Sequence, residues 1–236
     1  MNLNPELSII ILCYRSEEGI IPFSQKVKEV VSKLTDSFEI ILVGNYIEGS
    51  DDRTKDIVED LAAKDPVFKT ICKPKQGMMG WDMREGLAMA TGDYLCVIDG
   101  DGQFPVESIA GCYEHIKTGK YGLVKTYREK RNDGLQRKFI SVVYNLVFKA
   151  LFPKVNGNDI NSKPKLFSRA VYEKMNLTSD DWFIDAEIMI KVSQMDIEFY
   201  EFPIEFLELE GRQSFVNVST IFEFIRNLVS FRLKGK

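Results

Sequence analysis

The chain has 236 residues, a formal net charge of −4, and 44% hydrophobic against 28% charged residues. That composition excludes a wholly disordered chain, a collagen and a coiled coil, and the length gives one large domain, or one domain with an appendage, able to bury a core without disulfides. The acidic balance excludes nucleic-acid binding driven by bulk charge, so no nucleic-acid partner is expected.

The first half alternates strand and helix patterns. Residues 7–14 (LSIIILCY) form a continuous apolar run, the signature of a strand buried on both faces. Residues 18–34 read as a helix with Val27, Val30, Val31 and Leu34 on one stripe and Pro22 in its first turns. A second buried strand spans 38–43, followed by a helix at 51–64, a short strand at 67–72 and a helix at 80–90. Residues 94–98 (YLCVI) are a strand that runs directly into Asp99-Gly100-Asp101. Units of this kind predict an α/β fold, a doubly wound, mostly parallel sheet covered by helices, with ligands at the carboxyl ends of the strands. Tyr14 and Glu17, Gly44 and Asn45, and Asp99 and Asp101 fall at those ends.

The second half is different. From Lys117 to Lys138, eight lysines and arginines stand against Glu129 and Asp133. Such a run is either a solvated basic surface or an anion site. An apolar helical pattern follows over 137–152, where Lys138, Ser141, Asn145 and Lys149 form one narrow polar seam. Next come a polar loop (156–165), helices near 169–175 and 181–195, a strand at 198–203 and a loop with Arg212. The last segment has the pattern of a basic amphipathic helix, with Arg226, Arg232, Lys234 and Lys236 against Glu223. Both apolar helices suit a membrane surface, or else packing on each other or on a partner subunit.

Cys13, Cys72, Cys96 and Cys112 include no C-x-x-C pair and read as reduced, packed thiols. His115 is the single histidine, which disfavours histidine zinc sites and Ser-His-Asp hydrolysis. The N-terminus reads as a first strand rather than a signal peptide, and no apolar run reaches the ~18 residues of a membrane span. The strongest local signal is Asp99-Gly100-Asp101-Gly102-Gln103. Two carboxylates beside a buried strand are costly unless they meet a cation, and oxygen ligands of this kind suit Mg²⁺ or Mn²⁺ held together with a diphosphate. As a plain turn, D-G-D-G is good chemistry too.

Other pieces share an order with this motif. Leu12-Cys13-Tyr14-Arg15-Ser16-Glu17 ends the first strand, and Glu48-Gly49-Ser50-Asp51-Asp52-Arg53-Thr54 follows the second. Gln76-Gly77-Met78-Met79-Gly80 opens a helix, and Gly92-Asp93-Tyr94 opens the strand before the paired aspartates. Downstream lie Arg128, Arg131, Asp133, Arg137, Ser141, Tyr144 and Asn145, then Asn158 to Lys165, then Gly211-Arg212-Gln213-Ser214. Together these resemble the motifs of the family 2 GT-A glycosyltransferases, and within them the polyprenyl-phosphate sugar transferases of the dolichol-phosphate mannose synthase type. The resemblance covers nearly the whole chain. Three positions depart from it: Leu12 replaces a proline, Arg15-Ser16 replaces Asn-Glu, and Gly44-Asn45 stands where an acidic pair is usual.

The resemblance implies a GT-A domain over 1–215, including the amphipathic helix near 137–152, and a C-terminal amphipathic helix over 216–236. It implies a donor nucleotide site made by Cys13, Tyr14, Glu17, Asn45, Gly80, Asp82, Asp99 and Gly100, with Asp101 and Gln103 holding Mg²⁺ or Mn²⁺. Asp82 is a nucleotide contact or only a helix-start carboxylate. Arg128, Arg131, Arg137, Ser141, Ser162 and Arg212 would bind the acceptor phosphate, Arg128 and Arg137 also serving catalysis. Glu187 is a general base if the acceptor is a hydroxyl, or else a structural carboxylate.

The implied activity is metal-dependent, inverting transfer of a sugar from a UDP- or GDP-linked donor to a polyprenyl phosphate. It would take place on the cytoplasmic face of a membrane, with peripheral attachment and a homo-oligomer or membrane subunit as further partner. A related transferase acting on a sugar hydroxyl and a non-catalytic nucleotide- or lipid-binding module are the alternatives.

Overall fold

The computed structural model describes residues 4–130, 146–207, 226–229 and 231–233. Its first half is built as the apolar runs require: β1 (Leu7–Leu12), α1 (Ile20–Val31), β2 (Phe38–Val43), α2 (Thr54–Lys64), β3 (Phe68–Ile71), α3 (Met79–Met89) and β4 (Tyr94–Asp99). Then follow α4 (Ser108–Ile116), β5 (Leu123–Lys130), β6 (Lys165–Ser168), α5 (Arg169–Met175), α6 (Ile184–Gln194) and β7 (Phe199–Glu205).

The strands form one sheet in the order β3-β2-β1-β4-β6-β5-β7. β1 lies between β2 and β4, parallel to both, and is buried along its whole length. Alternate side chains of a strand point to opposite faces, so β1 serves two cores. Ile10 and Leu12 pack with Met83, Phe167 and Ile188 under α3, α5 and α6. Ile9 and Ile11 pack with Val27, Ile57 and Ile109 under α1, α2 and α4. Each such fully buried isoleucine contributes about 1.5–3 kcal/mol.

Two strands lie where the sequence showed a basic run and a polar loop. β5 lies within the basic stretch, parallel to β7 and antiparallel to β6. Its Lys125 is fully buried, donating to Glu201 at 2.7 Å and to the Thr126 carbonyl at 2.9 Å. That stretch is therefore not a solvated surface throughout. β6 is antiparallel to β4 as well. The carboxyl ends of β1, β2, β4, β5 and β7 thus share one edge of the sheet, and β6 begins there.

At the opposite edge Glu39 ties three elements. Its carboxylate accepts from Ser8 Oγ at 2.6 Å, the Thr91 amide at 2.7 Å and Lys69 at 2.5 Å. Burial alone would raise this carboxyl, but Lys69, Ser8 and Thr91 outweigh it, and the pKa is lowered. A carboxylate with a depressed folded pKa adds stability that is complete above its unfolded value and lost as pH falls through the folded one. Glu39→Gln is therefore expected to flatten the acid limb of the stability curve below about pH 4. Urea denaturation of both proteins from pH 6 to pH 3 checks this.

The apolar helices show packing and exposure together. Residues 146–151, 226–229 and 231–233 are helical. Phe148, Phe152 and Leu228 are buried in the core beneath α3 and α6, and Phe231 packs on Phe152 and Phe183. Leu146 and Leu233 point outward, 70% and 81% exposed. Among the described residues, no helix is long and apolar enough to cross a membrane. All four cysteines are free thiols, and burial raises the pKa of Cys13, Cys96 and Cys112.

Candidate active site

A cavity of about 560 Å³ opens at the shared carboxyl edge. Leu12 and Tyr14 from the end of β1, Asp99 and Asp101 from the end of β4, and Lys75 to Met79 with Asp82 around the start of α3 line it, with Ile47 and Trp182. The chain leaves β1 through two left-handed non-glycine residues, Arg15 (φ +52) and Glu17 (φ +44). Such conformations cost about 1–3 kcal/mol each and collect at functional sites.

One end of the cavity is an aromatic and polar wall. Lys75 lies 4.3 Å above the Tyr14 ring and pairs with Asp82. Asn45 donates to Asp82 at 2.9 Å and accepts from the Lys73 amide, also at 2.9 Å. Burial raises the Asp82 carboxyl against the pull of Lys75 and Asn45. Asp82 is thus a cavity wall residue as well as a carboxylate in the first turn of α3.

The paired aspartates form the floor. Asp101 Oδ1 accepts from the Gln103 amide at 3.0 Å and fixes the turn. The Gln103 side chain donates to the Leu207 carbonyl at 3.4 Å. Asp99 meets Lys163 at 3.3 Å, and Lys163 also donates to Asp185 at 3.0 Å. Lys165 reaches the other Asp185 oxygen at 2.6 Å. Asp185, Lys163 and Lys165 are all essentially buried. Burial opposes charge on each, but the two ammonium groups hold the Asp185 carboxyl below its ordinary value, and Asp185 with Asp99 raises Lys163. Burial lowers Lys165 to about 8 despite Asp185.

The other expected residues are placed as follows. Cys13 is fully buried, its thiol donating to the Ile11 carbonyl, so its side chain faces the core rather than the donor. Glu17 is exposed, its amide held by Thr54 Oγ1 at 2.9 Å. A Cβ on Gly80 would meet the carbonyls of Asp181 and Ser179 at 2.4 and 2.5 Å, so this glycine lets α3 approach that loop. One on Gly100 would lie 2.9 Å from the Leu12 carbonyl, so β1 and β4 close tightly beneath the aspartates. Arg128 makes a two-point bond to Asp159, at 2.6 and 3.0 Å. Ser162 is buried, bonded to Thr126 Oγ1 at 2.9 Å, behind the loop surface. Arg131, Arg137, Ser141 and Arg212 lie outside the described residues.

Glu187 is fully buried and away from the cavity lining. It accepts from the Thr178 amide and hydroxyl, both at 3.0 Å, and from the Ser179 amide at 2.8 Å. Its observed bonds are those of a loop clamp, on the segment that Gly80 touches. Glu187→Gln turns an amide NH₂ toward those donors, and a loss of about 1–3 kcal/mol is expected. Chemical denaturation measures it.

Sequence reading missed Lys75, Lys163 and the pairing of Asp185. One signal was present: the loop Asn158 to Lys165 resembles a D-x-x-S-G loop of the family, and Lys163 stands where that pattern has glycine.

The sequence model described as "Glycosyl transferase family 2" matches residues 8–175. The chain belongs to glycosyl transferase family 2. This family 2 chain is 29% identical over 173 residues to the prophage bactoprenol glucosyl transferase homolog of Escherichia coli (strain K12), covering 73% of this chain and 55% of that protein. It is 28% identical over 230 residues to the dolichol-phosphate mannosyltransferase of Pyrococcus furiosus, covering 94% of this chain and 62% of that protein. The chain thus spans between about half and three fifths of these relatives. In fold it is similar to glucosyl-3-phosphoglycerate synthase from Mycobacterium tuberculosis, in a complex with Mn²⁺, UDP and glucosyl-3-phosphoglycerate. The TM-score is 0.69 at 16% identity, covering 98% of this chain and 79% of that one. The family 2 chain therefore has the GT-A fold that the resemblance implied.

The donor set also fits a divalent cation. Asp101 and Gln103 offer side-chain oxygens, and among the described residues no cluster of three or more His, Cys, Asp or Glu could by itself hold a metal ion. An ion that completes its shell with substrate phosphate oxygens suits such an open site.

Proposed function

We propose that the protein transfers a sugar, with inversion, from a nucleotide-sugar donor to a polyprenyl phosphate. The observation that carries this is the paired aspartates on the floor of a cavity whose far wall is Tyr14, Lys75 and Asp82, with the buried Asn45 bonded to Asp82 behind it. The relatives, a bactoprenol glucosyl transferase homolog and a dolichol-phosphate mannosyltransferase, support the acceptor class.

The nucleobase lies against the Tyr14 ring, and Asp82 and Lys75 meet its polar edge, with Asn45 holding Asp82 from behind. Asp101, with Gln103, would hold Mg²⁺ or Mn²⁺, which when bound stabilises negative charge on the leaving diphosphate. An oxygen of the acceptor phosphate attacks the anomeric carbon as the bond to the diphosphate breaks, and the diphosphate leaves with the electron pair. The acceptor phosphate is already ionised, so the step needs no general base, only positioning by cations. Arg128, oriented by Asp159, is one such cation; its planar fork matches phosphate oxygens. Arg131, Arg137, Ser141 and Arg212 are proposed to complete the acceptor site. Leu146 and Leu233 on the amphipathic helices are proposed to meet the cytoplasmic surface of the membrane that carries the acceptor.

The test uses purified protein, Mn²⁺, labelled UDP- and GDP-sugars and a short polyprenyl phosphate. Label is expected to move into organic solvent and to stay in water when EDTA replaces Mn²⁺. Donor hydrolysis without lipid labelling would favour a hydroxyl acceptor. Failure of every donor to bind would favour a non-catalytic module.

A further inference from the structure

Lys163 takes no part in the proposed transfer step, yet it is built into the floor of the site. Its ammonium nitrogen is 3.0 Å from Asp185, 3.3 Å from Asp99 and 3.4 Å from the Met79 sulfur, and it is 2% exposed. Three elements converge on it: the end of β4, the start of α3 and the start of α6. Asp99 and Met79 line the cavity; Lys163 sits behind both.

The charges on this floor decide what the ammonium does. Asp99, Asp101 and Asp185 would present three negative charges to an incoming diphosphate, itself an anion. Lys165 offsets one of them through Asp185. With only that offset, the floor would repel the donor until a divalent ion arrived. Lys163 removes a second charge from within the protein, and it does so on Asp99, the carboxylate beside the diphosphate position. A fixed ammonium in a partly dry site acts on a neighbouring anion far more strongly than one in water.

We propose that Lys163 is a resident counter-ion of the donor site, a positioning residue that acts through Asp99 and gives nucleoside diphosphate binding a component independent of divalent metal. The proposal rests on the donor-site reading above. It concerns binding rather than turnover: the metal still serves the leaving group, while the ground-state complex forms without it.

The experiment is calorimetric titration of UDP and of GDP at constant ionic strength, in EDTA and in Mn²⁺. It uses the wild-type protein, Lys163→Met and Lys163→Arg, each checked for folding by thermal melting. The wild type is expected to bind one of the two in EDTA, within about a hundredfold of its affinity in Mn²⁺. Lys163→Met is expected to lose tenfold or more of the EDTA affinity but only about two- to threefold of the Mn²⁺ affinity, because the metal restores the missing charge. Lys163→Arg should keep the EDTA component. A general packing defect would lower both affinities together and leave their ratio unchanged.

Wild-type binding in Mn²⁺ with none in EDTA overturns the proposal and leaves the donor site standing. Equal loss in both conditions on Lys163→Met also overturns it. No binding of either nucleotide in either condition overturns the donor-site reading itself. Should Lys163→Met fail to fold, the wild-type ratio and its retention in Lys163→Arg decide the matter.

Discussion

Asp185→Ala is expected to lower the unfolding free energy by about 3–5 kcal/mol, the largest stability effect of any single substitution considered for this site. Asp185 is 1% exposed and is the shared partner of Lys163 and Lys165, which are 2% and 0% exposed. Removing the carboxylate leaves two buried ammonium groups without their main partner, and a folded protein has only about 5–15 kcal/mol in total. Equilibrium denaturation in urea measures the loss. A change below about 1 kcal/mol would mean that water reaches these lysines and that the buried charge cluster is not as drawn. The reverse substitution pattern tests the same point: Lys165→Met should be tolerated better, because Asp185 then keeps Lys163.

Asp101→Asn is expected to cut sugar transfer by about 10²–10³-fold while leaving the fold intact. Asparagine keeps an oxygen for the Gln103 amide that Asp101 Oδ1 now accepts, so the turn at the end of β4 survives. What is lost is the charge that would hold a divalent ion against the leaving diphosphate. Steady-state kinetics with saturating donor and acceptor, beside a thermal melt, separates the two effects. The loss should fall mainly on kcat, because the charge matters most as the diphosphate departs. An equal loss of stability would instead assign Asp101 to the scaffold.

The parts of this molecule that were legible in the sequence are those whose reasons are local. β1, β2 and β4 are continuous apolar runs because both faces of a central parallel strand are covered, and the paired aspartates follow the last of them without a gap. Tyr14, Asn45, Asp99 and Asp101 could be placed at one edge from strand order alone. β5 and β6 were hidden because their burial depends on partners far away in the chain. LVKTYREK looks like surface until Glu201 on β7 takes up Lys125. KLFS is four residues long and begins with a lysine that becomes buriable through Asp185 and the Ser162 carbonyl.

The site divides in the same way. The aspartates carry a motif, whereas Lys75 carries none and Lys163 shows only as a departure from one; both matter because Asp82, Asp99 and Asp185 converge on them. Glu187 on its apolar helix could be read two ways, as a general base or as a structural carboxylate; its bonds to the backbone amides of Thr178 and Ser179, which no spacing rule reveals, are of the structural kind. Cys13 sits in the motif at the end of β1, yet the strand's alternation turns its thiol into the core.

The most direct test of the central claim sets a polyprenyl phosphate against the free polyprenol of equal length, with the same labelled donor and Mn²⁺. A phosphate acceptor needs no general base, so transfer to the phosphate alone is predicted, with a rate nearly independent of pH above the second phosphate pKa of about 6. Comparable transfer to the alcohol, rising with the ionisation of a protein carboxylate, would contradict the account and make the acceptor a hydroxyl.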